Sequence, residues 1–167
     1  GVPLRQLECS DGKFYVNNAE EPIEWRDMSP NVSLDELATA YDQGLRAVRF
    51  TAGCVDDALL DYCDRVGIYV AVTAPINSPL SGQSRKRGGN PSNMPSWREE
   101  YVARTVNMIH STKRHSCVVA YFLADDSANG ICLYESYLAA KRVAGDRPVF
   151  YFDGGLEWNS DYHPEKQ

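Results

Sequence analysis

The sequence predicts an α/β chain in which a parallel sheet of about five strands is covered by helices. Three observations carry this. Short apolar runs alternate with longer amphipathic ones along most of the chain. The short runs at 68–73 and 118–123 are continuously apolar and rich in β-branched residues, as expected of strands buried on both faces. Glycines 44, 67 and 145 stand where amphipathic runs end, the place of a left-handed C-terminal cap.

In chain order, a weak strand is expected at 23–26. Ser33 and Glu36 then form a capping-box pattern ahead of Leu37 and Tyr41, which predicts a helix ending at Gly44. Residues 45–50 read as a strand, 56–66 as a helix closed by Gly67, and 68–73 as a second clear strand. Ser96 and Glu99 repeat the capping pattern before Tyr101, Val102, Val106 and Ile109, an apolar stripe at helical spacing. Residues 118–123 form a third strand, 132–144 a last helix with Leu133, Tyr137 and Leu138 on its apolar side, and 148–152 a fourth strand.

Composition narrows the function classes. A chain of 167 residues holds one domain with a sizeable core, and no linker divides residues 1–167. The net charge of -6 argues against a nucleic-acid binder, which needs a basic face to neutralise phosphates. No apolar run approaches the roughly 20 residues of a membrane span, and the first residues lack a signal-peptide pattern. The natural start is expected upstream of Gly1. The five cysteines, Cys9, Cys54, Cys63, Cys117 and Cys132, are odd in number and lack a CxxC pair. Most are expected to be core thiols rather than disulfide or zinc ligands. His110, His115 and His163 lack metal-ligand spacing, so neither metal nor other cofactor is expected.

Two architectures fit this rhythm, a doubly wound open sheet and a (β/α)₈ barrel, and periodicity alone does not separate them. A nucleotide-binding doubly wound domain is disfavoured: no GxGxxG or GxxxxGK[ST] loop follows a strand, and Gly88-Gly89 lies within a long loop. That loop, 75–96, carries Arg85, Lys86 and Arg87. It comes directly after a strand and so belongs to the C-terminal face, as a substrate-side loop or a surface insertion.

Three segments resemble glycoside hydrolase family 2. Gly44-Leu45-Arg46-Ala47-Val48-Arg49 is similar to the family's G-x-N-A-V-R, with Arg46 at the Asn position. Leu60-Asp61-Tyr62-Cys63-Asp64-Arg65-Val66-Gly67-Ile68-Tyr69-Val70 resembles L-x-x-C-D-x-x-G-I-x-V. The run from His115 to Gly130 is similar to H-P-S-V-x-x-W-S-L-G-N-E-S-G-N-G. Their order and spacing match from about Gly12 onward, and Arg147-Pro148-Val149 and Trp158-Asn159-Ser160-Asp161 resemble the next segments of that family. The resemblance implies a partial (β/α)₈ barrel of about five parallel βα units, carbohydrate chemistry on a β-glycoside, and a parent polypeptide that supplies the remaining strands.

The resemblance also implies roles. In the family the Asn-Glu pair closes the fourth barrel strand, the Glu acting as general acid/base and the Asn binding the sugar 2-hydroxyl; a second Glu, on the seventh strand, is the nucleophile. Asp125 and Asp126 hold the Asn and Glu places here. Retaining glycosidases need carboxyl groups about 5–5.5 Å apart across the scissile bond. Adjacent residues on one strand point to opposite sides, so Asp125 and Asp126 are not that pair. Asp126 also sits back from a Glu by roughly 1.5 Å, one C–C bond. Asp126 is therefore the candidate acid, in competition with a reading in which both aspartates cap the next turn. Arg49, at the place of a family arginine that points into the active site, needs a partner, expected to be Asp125 or Asp126 unless its charge reaches solvent. Asp153, Trp158 and Asn159 are candidate substrate-binding residues with an ordinary turn as the alternative, and Asp161 joins them there. The expected function is a fragment of a family 2 β-glycosidase that is inactive alone, or else a non-catalytic carbohydrate-binding or structural module. Open barrel edges are expected to drive self-association.

Overall fold

The computed structural model describes residues 7–10, 13–17, 19, 21–78, 91–127, 130–151 and 160–161; the side chains of Cys9, Ser10, Ser78 and Asp126 lie outside the described set. Strands β1 (Leu7–Ser10), β2 (Lys13–Val16) and β3 (Arg26–Met28) precede α1 (Leu34–Asp42). Next come β4 (Ala47–Phe50), α2 (Asp57–Val66), β5 (Tyr69–Thr73) and the short β6 (Asn77–Ser78). Helix α3 (Arg98–Thr112), β7 (Val118–Phe122), β8 (Asp125–Ser127), α4 (Ile131–Val143) and β9 (Val149–Phe150) complete the order.

The main sheet has five strands in the order β3-β4-β5-β7-β9, all parallel. Each crossover therefore moves the chain one place in the same direction. A doubly wound sheet reverses direction at a switch point; this sheet does not, and it has the strand order of a barrel. Among the described residues it is not closed, and β3 and β9 are its outer strands.

Alternation along each strand divides the side chains between two faces. Val48, Phe50, Val70, Val72 and Val149 face the helices and join Leu37, Leu60, Ile109 and Leu133 in the main core. Ala71, Ala120, Phe122 and Phe150 face inward. That inner cluster is covered by an antiparallel hairpin, β1–β2, which sequence reading did not anticipate. Phe14 on β2 meets Phe150 edge-on at 5.5 Å, and Phe150 meets Phe122 at 5.4 Å. Such aromatic contacts add about 0.5–1.5 kcal/mol each beyond area burial.

Several expected elements move by a few residues. The first parallel strand is Arg26–Met28 rather than 23–26. Ile23 instead bridges Phe14, and Trp25 packs on the inner aromatic cluster, so the apolar residues serve the hairpin and the polar ones pair with β4. Ser33 caps α1 as expected, accepting from Glu36 N at 3.1 Å. Ser96 does not cap α3: it lies in a 3₁₀ turn, Pro95–Trp97, that runs straight into the helix, so no side chain is needed to start it. Gly67 closes α2 in the left-handed region, at φ 88°. The expected long irregular loop contains β6 and the 3₁₀ turns Pro91–Asn93 and Pro95–Trp97; Arg85, Lys86 and Arg87 lie outside the described residues.

A buried histidine anchors α2 to the start of β7. Asp57, Asp61 and Asp64, at i, i+4 and i+7, share one face of α2. His115, 1% exposed, lies against them with Nδ1 2.7 Å from Asp64 Oδ2 and Nε2 3.1 Å from Asp57 Oδ1. The other Asp64 oxygen accepts from Cys117 N at 2.8 Å. Cys63, Cys117 and Cys132 are buried and outside any disulfide, and Cys54 is exposed. Burial pushes the Cys63 thiol up to about 12. Among the described residues no helix is long and apolar enough to cross a membrane.

Candidate functional site

The site is built around Arg49. Val48 and Phe50 turn toward the helices, so alternation sends Arg49 inward. Its register partner on β5 is Ala71, followed by Ala120 on β7, and these small side chains leave room for the guanidinium to lie across the sheet. The guanidinium sits 5.1 Å from the centre of the Phe122 ring, within cation–π range.

Four hydrogen bonds hold it. Nε and Nη2 donate to Asp27 Oδ1 and Oδ2 at 2.9 and 2.8 Å, a bidentate pair. Nη1 donates to Thr73 Oγ1 at 3.0 Å and to Asp125 Oδ1 at 2.6 Å. Burial acts to lower the guanidinium pKa, but the bonds and charges of Asp27 and Asp125 outweigh it and hold it above its ordinary value. The two carboxylates differ in exposure: the Asp125 side chain is 18% exposed and the Asp27 side chain 58%.

Asp125 reaches Arg49 because β8 pairs with β6 just past the end of β7, with Asp125 N donating to Ile76 O at 2.9 Å. Its second oxygen accepts from Ala52 N at 2.6 Å, so one carboxylate ties the end of β4 to the end of β7. Each of its oxygens accepts one hydrogen bond. It does not cap α4, which starts after Gly130 and whose Ile131 N donates to Asn93 Oδ1 at 3.2 Å. Asp126 occupies the middle of β8, but its side chain lies outside the described set. Asp153, Trp158 and Asn159 also lie outside the described residues. Asp161 is described, and it is engaged at the β9 edge: it accepts from Tyr137 Oη at 2.5 Å, Lys141 Nζ at 2.8 Å and Val149 N at 2.7 Å. Burial, then the adjacent Asp161 carboxylate, pushes the Tyr137 hydroxyl up.

Sequence reading looked for the partner of Arg49 only at Asp125 and Asp126 and missed Asp27. The signal was present: an inward arginine demands acceptors from the neighbouring strand, and Asp27 is its register partner. A cleft of about 570 Å³ opens between the segments after β3 and β4, lined by Asn31, Ser33, Cys54 and Asp56 among others; it contains neither Arg49 nor Asp125. Asp61, Asp64 and His115 bring ligand atoms within 4.8 Å of one another, but both His115 nitrogens are already engaged by Asp64 and Asp57.

The Arg49 cluster thus lies at the C-terminal ends of sequentially ordered parallel strands, where such folds place their ligands. The profile of the glycosyl hydrolases family 2 TIM barrel domain matches residues 16–163. The chain belongs to that family. This family 2 barrel segment is 33% identical to a β-galactosidase of Vibrio cholerae serotype O1, over 92% of the chain and 16% of that relative. It spans about 16% of the length of the curated relatives it matches first. Its fold is similar to that of a putative β-galactosidase from Bacteroides fragilis, with a TM-score of 0.71 at 17% identity over 96% of the chain and 25% of the other. It is also similar to a Bifidobacterium dentium β-glucuronidase complexed with coumarin-3-O-glucuronide, with a TM-score of 0.62 at 19% identity over 98% of the chain and 28% of the other. Among the described residues, the five parallel strands of its main sheet are those of a barrel left open.

Proposed function

We propose that this family 2 segment supplies one wall of a β-glycoside site, β-galactoside-like by its curated relatives, and is inert in hydrolysis by itself. Asp126 is the candidate acid/base, Arg49 and Asp125 build the wall, and Asp153, Trp158 and Asn159 are further candidate sugar contacts. The observation that carries the reading is the meeting of Arg49 and Asp125 at 2.6 Å, which joins the ends of two strands separated by β5 on the ligand-binding face. Inertness comes from charge accounting. A retaining mechanism needs two carboxyl groups free to face the sugar. Asp27 and Asp125 are both held in ion pairs with Arg49, which leaves Asp126 as the candidate acid/base from this wall. The remainder of the parent polypeptide is the source of the second carboxylate.

The test is hydrolysis of aryl β-glycosides by this chain and by its full-length parent. Turnover by the parent alone is the expected result, and turnover by the short chain would overturn the reading. A second reading, a non-catalytic carbohydrate-binding or structural module, draws on one observation: each Asp125 oxygen accepts a structural hydrogen bond, one from Arg49 and one from Ala52 N. An inactive parent would favour it.

The outer edges of the sheet also motivate self-association. On β9 that edge is met by the chain itself, through Asp161 and Ser160. The outer edge of β3 is the one to pair with a second copy. Sedimentation at high concentration tests this, and a monomer throughout would count against it.

A further inference from the structure

The hydrogen-bond inventory of Arg49 and Asp27 leaves a specific remainder. A guanidinium has five N–H donors. Arg49 spends one from Nε and one from Nη2 on Asp27, and both from Nη1 on Thr73 and Asp125. Among the described residues, one N–H on Nη2 is left. Each Asp27 oxygen accepts one bond from Arg49, and a carboxylate has about four lone-pair sites, so acceptor capacity also remains. Arg49 Nη2 and Asp27 Oδ2 lie 2.8 Å apart, and the Asp27 side chain is more than half exposed. A donor and an acceptor therefore sit side by side where a ligand can reach them.

A hydroxyl group both donates and accepts, and it matches such a pair. A carboxylate accepts only. It would find a single donor here, beside an anion. By strand alternation Arg49 is the one cation on the inner face of the described strands, and Asp27 and Asp125 together carry one more charge than it does. From this geometry we infer that Asp27 and Arg49 Nη2 form a hydroxyl-binding subsite for a neutral sugar, and that Asp27 turns away a uronate. The inference rests on the proposed sugar site and names its substrate class. It makes Asp27, which no motif marks, a specificity-determining residue.

The test uses the ¹⁵N-labelled chain and reads the Arg49 Nε–H resonance during titration with methyl β-D-galactopyranoside or methyl β-D-glucopyranosiduronate at low salt. Binding of the galactoside in the millimolar range is expected, with the uronate weaker by about 10-fold, the effect of like charges about 5 Å apart in a partly wet cleft. Asp27→Asn keeps the shape and removes the charge, and it should bring the ratio of the two affinities to within about 2-fold. A uronate that binds wild type as tightly as the galactoside overturns the inference and leaves the sugar-site reading standing. If neither sugar moves the Arg49 resonance, the sugar-site reading fails and the inference falls with it. The wild-type ratio decides the matter even if the variant does not fold.

Discussion

Asp27 and Asp125 both hold Arg49, yet their removal should have very different costs. Asp125→Ala deletes a charge-assisted hydrogen bond to Arg49 and strands the Ala52 N–H. The first loss is worth about 1.5–3 kcal/mol, and the unsatisfied N–H costs about 1–3 kcal/mol. With 18% of the Asp125 side chain exposed, water recovers part of this, and Arg49 keeps Asp27 and Thr73. The net cost should be about 3 kcal/mol. Asp27→Ala removes a bidentate pair, but from a side chain that is 58% exposed. Solvent replaces Asp27 there, and the cost should be about 0.5–1 kcal/mol. Urea unfolding followed by circular dichroism measures both, with the midpoint shift read at constant slope. Equal losses for the two variants, or an Asp125→Ala loss under about 0.5 kcal/mol, would refute the view that burial sets the worth of each carboxylate.

Three further outcomes are expected. Burial acts to raise the Asp64 pKa, but hydrogen bonds from Cys117 and His115 outweigh it and hold the carboxyl below its ordinary range. A depressed folded pKa contributes stability above the unfolded value, lost as pH falls through the folded one, so stability should drop below about pH 4. Asp64→Asn should flatten that acid limb, and an unchanged acid limb in the variant would count against the assignment. Among the four cysteines with described side chains, Cys54 should react with iodoacetamide at pH 8 and Cys63, Cys117 and Cys132 should not; peptide mass mapping reads this, and rapid alkylation of Cys63 would contradict its burial. A Cβ at Gly130 would lie 2.4 Å from Ser92 O, so Gly130→Ala should force the Pro91–Asn93 turn aside at about 2 kcal/mol, measurable as a lowered melting temperature.

Much of the fold was legible without coordinates because it rests on local signals. Continuous apolar runs read as strands buried on both faces, and Gly67 marked the end of α2 because a left-handed cap favours glycine. The strands expected at 68–73 and 118–123 are β5 and β7, within one residue at each end. The hairpin was missed because its strands are four residues each and its worth comes from Phe14 reaching Phe150, far along the chain. The choice of barrel over doubly wound sheet was likewise silent in periodicity, since both alternate strands and helices in the same way, and strand order settles it.

The candidate site divides along the same line. That Arg49 needs an anion unless its charge reaches solvent was readable from its place in an apolar strand, while its inward direction came from the family resemblance, and the sequence left Asp125 and Asp126 open as partners. Which carboxylate is the more buried, and which stays exposed, was not readable. Asp27 is 22 residues from Arg49 and Asp125 is 76, so their competition for one guanidinium exists only once β3, β4 and β7 lie side by side. Residue order determines the elements through backbone geometry and hydrophobic period, which act over a few neighbours. The chemistry of the site depends on exposure and on the sharing of hydrogen bonds between distant strands, and those are set only when the sheet assembles.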